Sequence, residues 1–160
     1  MNILHIVSTI DPRSGGPAEA IRSSSVALRD RGHALEVVSL DAPEAEFMAD
    51  FVIPASGVGP VAKKYGYTPK LGEWIARDAR RFDAAIIHGL WNHASVGGHQ
   101  ALKKAGVPYV VFTHGMLDPW FNKVQPLKRW AKQLLWLTAQ SWVLADAREV
   151  LVTCQVERTL

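Results

Sequence analysis

The sequence has a single cysteine, Cys154, so no disulfide can form within the chain. A reducing, cytoplasmic setting is the reading that follows. No apolar run approaches the roughly 18 residues of a membrane-spanning helix, and no basic region precedes the apolar start at Ile3, so no signal peptide is read. The net charge is only +3, without the dense basic footprint that marks nucleic-acid binding. Several motifs are missing as well. The turn after the first apolar run has neither G-x-G-x-x-G nor the Gly-Lys-Ser/Thr of a P-loop. No H-E-x-x-H or acidic cluster accompanies His88, His93, His99 and His114, so no metal is expected. Serine hydrolysis lacks its G-x-S-x-G elbow, and Cys154 has no local support as a nucleophile. A nicotinamide-dependent oxidoreductase is disfavoured on the same turn, since Asp11 to Pro17 cannot supply the dinucleotide fingerprint.

What remains is a chain of 160 residues, 48% apolar and 21% charged, the composition of one globular domain with a full core. Apolar runs of strand length recur at Ile3–Val7, Leu35–Leu40, Ala84–Ile87, Val107–Phe112 and Val150–Val152. They are near-continuous rather than alternating, as strands covered on both faces must be. Helical segments lie between them. Pro17 to Arg31 opens on proline and stops at Gly32, Pro69 to Arg81 is similar in length, and Ser95 to Ala105 stops at Gly106. From Pro126 to Ala147, the residues Leu127, Trp130, Leu134, Leu137 and Leu144 follow helical spacing as the apolar stripe, and Trp136 falls outside it. The irregular stretch from Asp41 to Gly66 leaves room for a short strand at Phe51–Ile53. Strands alternating with helices predict an α/β fold, a Rossmann-like doubly wound parallel sheet in three layers, αβα.

In such a sheet, ligands bind beyond the carboxyl ends of the strands. Three segments fall there: Asp11-Pro12-Arg13-Ser14-Gly15-Gly16, His88-Gly89-Leu90-Trp91-Asn92-His93, and Thr113-His114-Gly115 through Asp118 to Trp120. Gly15 and Gly16, having no Cβ, let a ligand approach the backbone at the start of a helix whose free amides suit a phosphate. A plain tight turn is the competing reading. His114, directly after a strand and beside Gly115, offers an imidazole to a hydroxyl or carbonyl; a loop-stabilising hydrogen bond is its alternative. His99 and His33 read as surface or packing residues, and His5 as a satisfied core histidine. Trp91 and Trp120 present aromatic faces suited to sugar rings or to burial under a loop. Trp130, Trp136 and Trp142 share their segment with Lys123, Lys128, Arg129 and Lys132, so peripheral membrane contact competes with packing of one face onto the sheet.

Taken together, "NILHIVSTIDPRSGGPAEAIR", "IIHGLWNHAS" and "GVPYVVFTHGMLDPW" resemble the N-terminal domain of GT-B glycosyltransferases of the retaining family-4 type. The resemblance covers essentially the whole chain. It implies two Rossmann-like domains facing each other across a cleft, the first receiving the acceptor and the second gripping a nucleotide-sugar donor, with no metal. Position by position, Gly15 and Gly16 resemble the loop that approaches the donor phosphates and sugar, and His114 the histidine that contacts the transferred sugar. Arg13, His88, Trp91, Asn92 and Asp118 resemble the acceptor side. Residues 1–160 would then be the acceptor-side domain. The ending "EVLVTCQVERTL" reads as a strand and the first turn of a further helix, so the expectation is a fragment, inactive without its C-terminal donor domain. The implied partners are a nucleotide sugar and a glycan or lipid-linked acceptor, in the cytoplasm or peripherally at the inner face of the membrane. A non-catalytic nucleotide- or sugar-binding module is the alternative, distinguished by whether the reading frame continues into a second α/β domain carrying spaced glutamates.

Overall fold

All five apolar runs become strands, four of them largely buried as near-continuous apolar runs require and the last, Val150–Leu151, exposed. The computed structural model of the chain describes residues 1–61, 65–117 and 135–153. Its strands are β1 (Asn2–Val7), β2 (Ala34–Ser39), β3 (Ala55–Gly57), β4 (Ala84–His88), β5 (Tyr109–Phe112) and β6 (Val150–Leu151). They form one six-stranded sheet in the order β3-β2-β1-β4-β5-β6, and every neighbouring pair is parallel. The strand order reverses between β1 and β4, and the crevice at that point is where doubly wound sheets receive ligands.

Side chains alternate across the sheet, and the core divides accordingly. Leu4, Ile6, Ala85, Ile87 and Val111 pack with Leu71, Ile75, Leu102 and Val143 of helices α3 (Pro69–Asp78), α4 (His93–Ala105) and α5 (Ser141–Ala145). Ile3, Val7, Leu35 and Val37 pack on the other side, with Ile21 of α1 (Gly16–Asp30) and Met48 of the short α2 (Glu46–Ala49). The three layers expected from the sequence are therefore present.

Two expectations are corrected. The strand placed at Phe51–Ile53 lies instead at Ala55–Gly57, paired with Val37–Ser39. Phe51 and Ile53 are apolar because they are buried under the α1 side of the sheet, and the ladder begins only where the Pro54 carbonyl accepts from the Val37 amide, 2.9 Å away. Of the stripe assigned to the last helix, Leu144 packs against the core as expected but Leu137 does not. Leu137 is 67% exposed, whereas Gln140 and Val143 are buried and Trp136 packs against Trp91. Leu137 lies within a π-helical turn over Trp136–Gln140, where the spacing departs from that of an α-helix. Residues 118–134 fall outside the described residues, and with them Asp118, Trp120, Trp130 and the basic residues near them.

Candidate functional site

The loop after β1 is built around one carboxylate. Asp41, directly beyond β2, accepts from the Thr9 hydroxyl at 2.6 Å, the Ile10 amide at 2.8 Å and the Ser39 hydroxyl at 2.7 Å. The chain next makes a 3₁₀ turn over Pro12–Ser14, capped by Asp11, which accepts from the Arg13 amide at 2.9 Å. The Arg13 guanidinium pairs with the same carboxylate at 2.7 Å yet remains 87% exposed at its side chain. That guanidinium holds the Asp11 carboxyl below its usual range. Gly15 then adopts φ 88°, ψ −136°, a conformation essentially reserved for glycine. Helix α1 starts at Gly16 with no side-chain cap and Pro17 in its first turn. An added Cβ on Gly15 or Gly16 would meet nothing within 4 Å. Both glycines are exposed.

The loops after β4 and β5 are tied together. Gln140, fully buried on the π turn, accepts through Oε1 from the Trp91 amide at 2.9 Å and the Ser95 hydroxyl at 3.2 Å. The Trp91 indole N–H donates to the Met116 carbonyl at 3.2 Å, and its ring leans on Trp136. Asn92 caps α4: Oδ1 accepts from the Ser95 amide at 3.0 Å, and Nδ2 donates to the Leu90 carbonyl. Trp91 and Asn92 thus already have structural partners. Among the described residues, the only non-glycine residues with positive φ are Trp91 (67°) and His114 (52°). Both sit at the ligand edge, where strain of about 1–3 kcal/mol per residue tends to collect.

Three of the histidines form a staircase. His5 on β1 is in register with Ile86 of β4; His88 lies two residues further along β4, in register with Phe112, and His114 two residues beyond Phe112. Steps of two keep all three on one face of the sheet. His5 Nδ1 and His88 Nε2 are 2.9 Å apart, as are His88 Nδ1 and His114 Nε2. The rings stack with centroids 5.1 and 5.2 Å apart, and His114 rests on Phe112 at 4.0 Å. His88 is only 2% exposed. Burial holds it well below the usual imidazole range, reinforced by the neighbouring His5 and His114. Burial likewise lowers His5 to about 4. His5 is a core residue as expected, but not a satisfied one: its Nε2 has no hydrogen-bond partner among the described residues.

The other histidines support the frame. The His93 ring bonds to the Thr68 carbonyl at 2.9 Å, over the space left by Gly97, and His99 bonds to Asp146 at 2.8 Å. Among the described residues, no group of three His, Cys, Asp or Glu side chains is arranged to hold a metal. A cavity of about 380 Å³ opens at the ends of β1 and β2, lined by Ser8, Thr9, Asp41, Pro60 and Gly66. A wider groove of about 580 Å³ runs between α3 and α4, away from the loops of β1 and β5, where Gly72, Ala76 and Ala101 are too small to fill it. Asp41 and Gln140 are residues that sequence reasoning passed over, and His5 is one it read only as a satisfied core histidine. The first had a signal, an acid at the end of the second strand; the third had one only in strand register; Gln140 had none.

The model of the glycosyl transferase 4-like domain matches residues 15–160. The chain belongs to this family. The resemblance to the N-terminal domain of family-4-type GT-B glycosyltransferases is thereby borne out. Among solved structures, the domain is similar to MurG from Acinetobacter baumannii, with a TM-score of 0.60 and 11% identity over 97% of this chain and 42% of that one. It is also similar to two proteins described as UDP-N-acetylglucosamine 2-epimerases. For the one from Listeria monocytogenes the TM-score is 0.62 at 14% identity, over 99% of this chain and 40% of that one. For the one from Methanocaldococcus jannaschii it is 0.56 at 12%, over 99% and 41%. No curated protein matches. At these identities the likeness is one of fold. The glycosyl transferase 4-like domain spans 40–42% of the length of these neighbours.

Proposed function

We propose that this glycosyl transferase 4-like domain is the acceptor-side half of an enzyme that moves a sugar from a nucleotide-sugar donor to a polysaccharide or lipid-linked acceptor. The observation that carries the reading is that the exposed Gly15–Gly16 turn and His114 both lie beyond the carboxyl ends of the strands, after β1 and β5. In this reading the donor diphosphate lies against the two glycines, where the uncapped amides of α1 stabilise charge as it develops on the leaving group. His114 meets the transferred sugar. The exposed Arg13 guanidinium, Trp91 and Asn92 shape the acceptor side, His88 reaches it only through His114, and Asp118 joins by resemblance alone. No metal has a part. The UDP-sugar named for the epimerase neighbours supports a nucleotide-sugar donor.

The donor-gripping half, with its paired glutamates, belongs in this reading to a C-terminal domain of the full polypeptide, and the 160-residue chain alone does not turn over. The test is Gly16→Val in that polypeptide. Open space around Gly16 leaves thermal stability unchanged, while a valine beside the diphosphate lowers turnover of the accepted UDP- or GDP-sugar at least about tenfold. Unchanged turnover in Gly16→Val and in His114→Ala sinks the site assignment. Binding of a nucleotide sugar without transfer, by the full polypeptide across a donor panel, favours the binding-module alternative.

A cytoplasmic setting with peripheral contact at the inner membrane face belongs to the same proposal. No helix of the described residues is long and apolar enough to cross a membrane. Among the described residues of the last helical segment, Leu137 and Trp142, the latter 57% exposed, are exposed apolar groups suited to such contact. Co-sedimentation of the chain with anionic vesicles is expected and should weaken in Trp142→Ser; equal pelleting of both proteins, or of neither, removes the membrane from the proposal.

A further inference from the structure

We propose that His88, with His5 behind it, is a positioning residue that holds His114 as a neutral imidazole in a single tautomer, its proton on Nδ1. This rests on the reading of His114 as the residue that meets the transferred sugar, but it concerns the proton pattern of the free protein.

A neutral imidazole has one donor nitrogen and one acceptor nitrogen. Two hydrogen bonds joining three such rings leave only two self-consistent proton arrangements. Any other sets two N–H groups or two lone pairs against each other across 2.9 Å. His88 has both nitrogens committed, so the tautomers of its two neighbours move with its own. In one arrangement every ring carries its proton on Nε2, and the chain of donors points inward. It then ends on the N–H of His5 Nε2, which is fully buried and has no acceptor among the described residues. In the other arrangement every proton is on Nδ1 and the donors point outward, from His5 to His88 to His114. Only a lone pair is then left unmatched at the buried end. Orphaned buried N–H groups are the rarer defect in folded proteins, so the outward arrangement is the one assigned.

The stack also has little use for charge. A proton added to His88 would sit in the dry interior between two further imidazoles, and burial with those neighbours disfavours it. His114 is thereby supplied with a donor nitrogen whose state is set from within the sheet, while its ring plane is fixed by stacking on Phe112 and His88. For a residue meeting sugar hydroxyls, which both donate and accept, a fixed donor selects one orientation of the partner.

The experiment is long-range ¹H–¹⁵N correlation spectroscopy on the chain, ¹⁵N-labelled in its histidine rings, near neutral pH and without ligand. Expected are separate protonated Nδ1 and bare Nε2 resonances for His5, His88 and His114. In His88→Phe, the two ring nitrogens of His114 should collapse toward a shared, averaged position. A proton on Nε2 of His114, or tautomer averaging in the unsubstituted chain, overturns the proposal; so does a His114 that keeps its single Nδ1 proton in a folded His88→Phe. Should His88→Phe not fold, the spectrum of the unsubstituted chain decides alone. Addition of UDP-glucose and GDP-mannose to the labelled full polypeptide is the separate arm: absence of any His114 response counts against the sugar-site reading and leaves the tautomer assignment standing.

Discussion

Gly59→Ala is expected to cost about 3 kcal/mol of folding stability, the upper end for an overpacked site, a fall in Tm on the order of 6–12 °C. The cause is backbone against backbone. A Cβ at position 59 would overlap the Leu40 carbonyl oxygen and stand 2.9 Å from the Asp41 carbonyl oxygen. Neither oxygen belongs to a side chain that can swing away, and the Gly59 amide is itself bonded to the Asp41 carbonyl at 2.8 Å. The segment carrying Gly59 must therefore lift off the end of β2 or push residues 40 and 41 aside. Gly72→Ala is the matched control. Its Cβ meets nothing within 4 Å on α3, and replacing a helical glycine by alanine should raise stability by about 0.5–1 kcal/mol. Thermal unfolding of the two variants side by side checks both signs. An unchanged Tm in Gly59→Ala would mean that this close approach does not hold the edge together.

Mild acid is expected to destabilise the chain steeply. His5 is held near 4 and His88 well below 6.5, the value both return to when unfolded. The unfolded chain thus binds more protons below pH 6.5, so the stability from keeping these rings neutral is complete above that pH and is lost as the pH falls toward the native values. From pH 6.5 to 5.5 each ring should account for about 1 kcal/mol, about 2 kcal/mol together, which lowers Tm by about 4–8 °C. His5→Phe removes one of the two groups and should halve that drop. A Tm that stays level between pH 6.5 and 5.5 would show that the stack takes up protons without opening.

Strand positions were legible because burial on both faces leaves an unbroken apolar run, and β1, β2, β4 and β5 lie within about two residues of where those runs place them. Pro17, Gly32 and Gly106 marked helix ends for steric reasons that act locally. Phe51–Ile53 misled because an apolar triplet has the same pattern in a strand as in a buried bend. Leu137 misled because periodicity assumes 3.6 residues per turn, and one π turn is enough to void the assumption. At the ligand edge, Gly15, Gly16 and His114 stood out through residue type and position after a strand. The bracing role of Asp41 and Gln140 did not, since it depends on which distant backbone amides come within reach. The histidine staircase lies between these cases: each residue was visible, but their alignment is a property of strand register.

Asp41 also bears on what this domain could become. In dinucleotide-binding sheets, the acid beyond the second strand is the one that reads a ribose. Here that carboxylate is occupied by Thr9, Ile10 and Ser39. Reassigning it to cofactor recognition would first release the turn that carries the two glycines. Conversion toward nicotinamide chemistry thus requires a new support for the loop as well as a freed Asp41, and a path that frees the carboxylate first passes through a chain whose glycine turn has lost its brace.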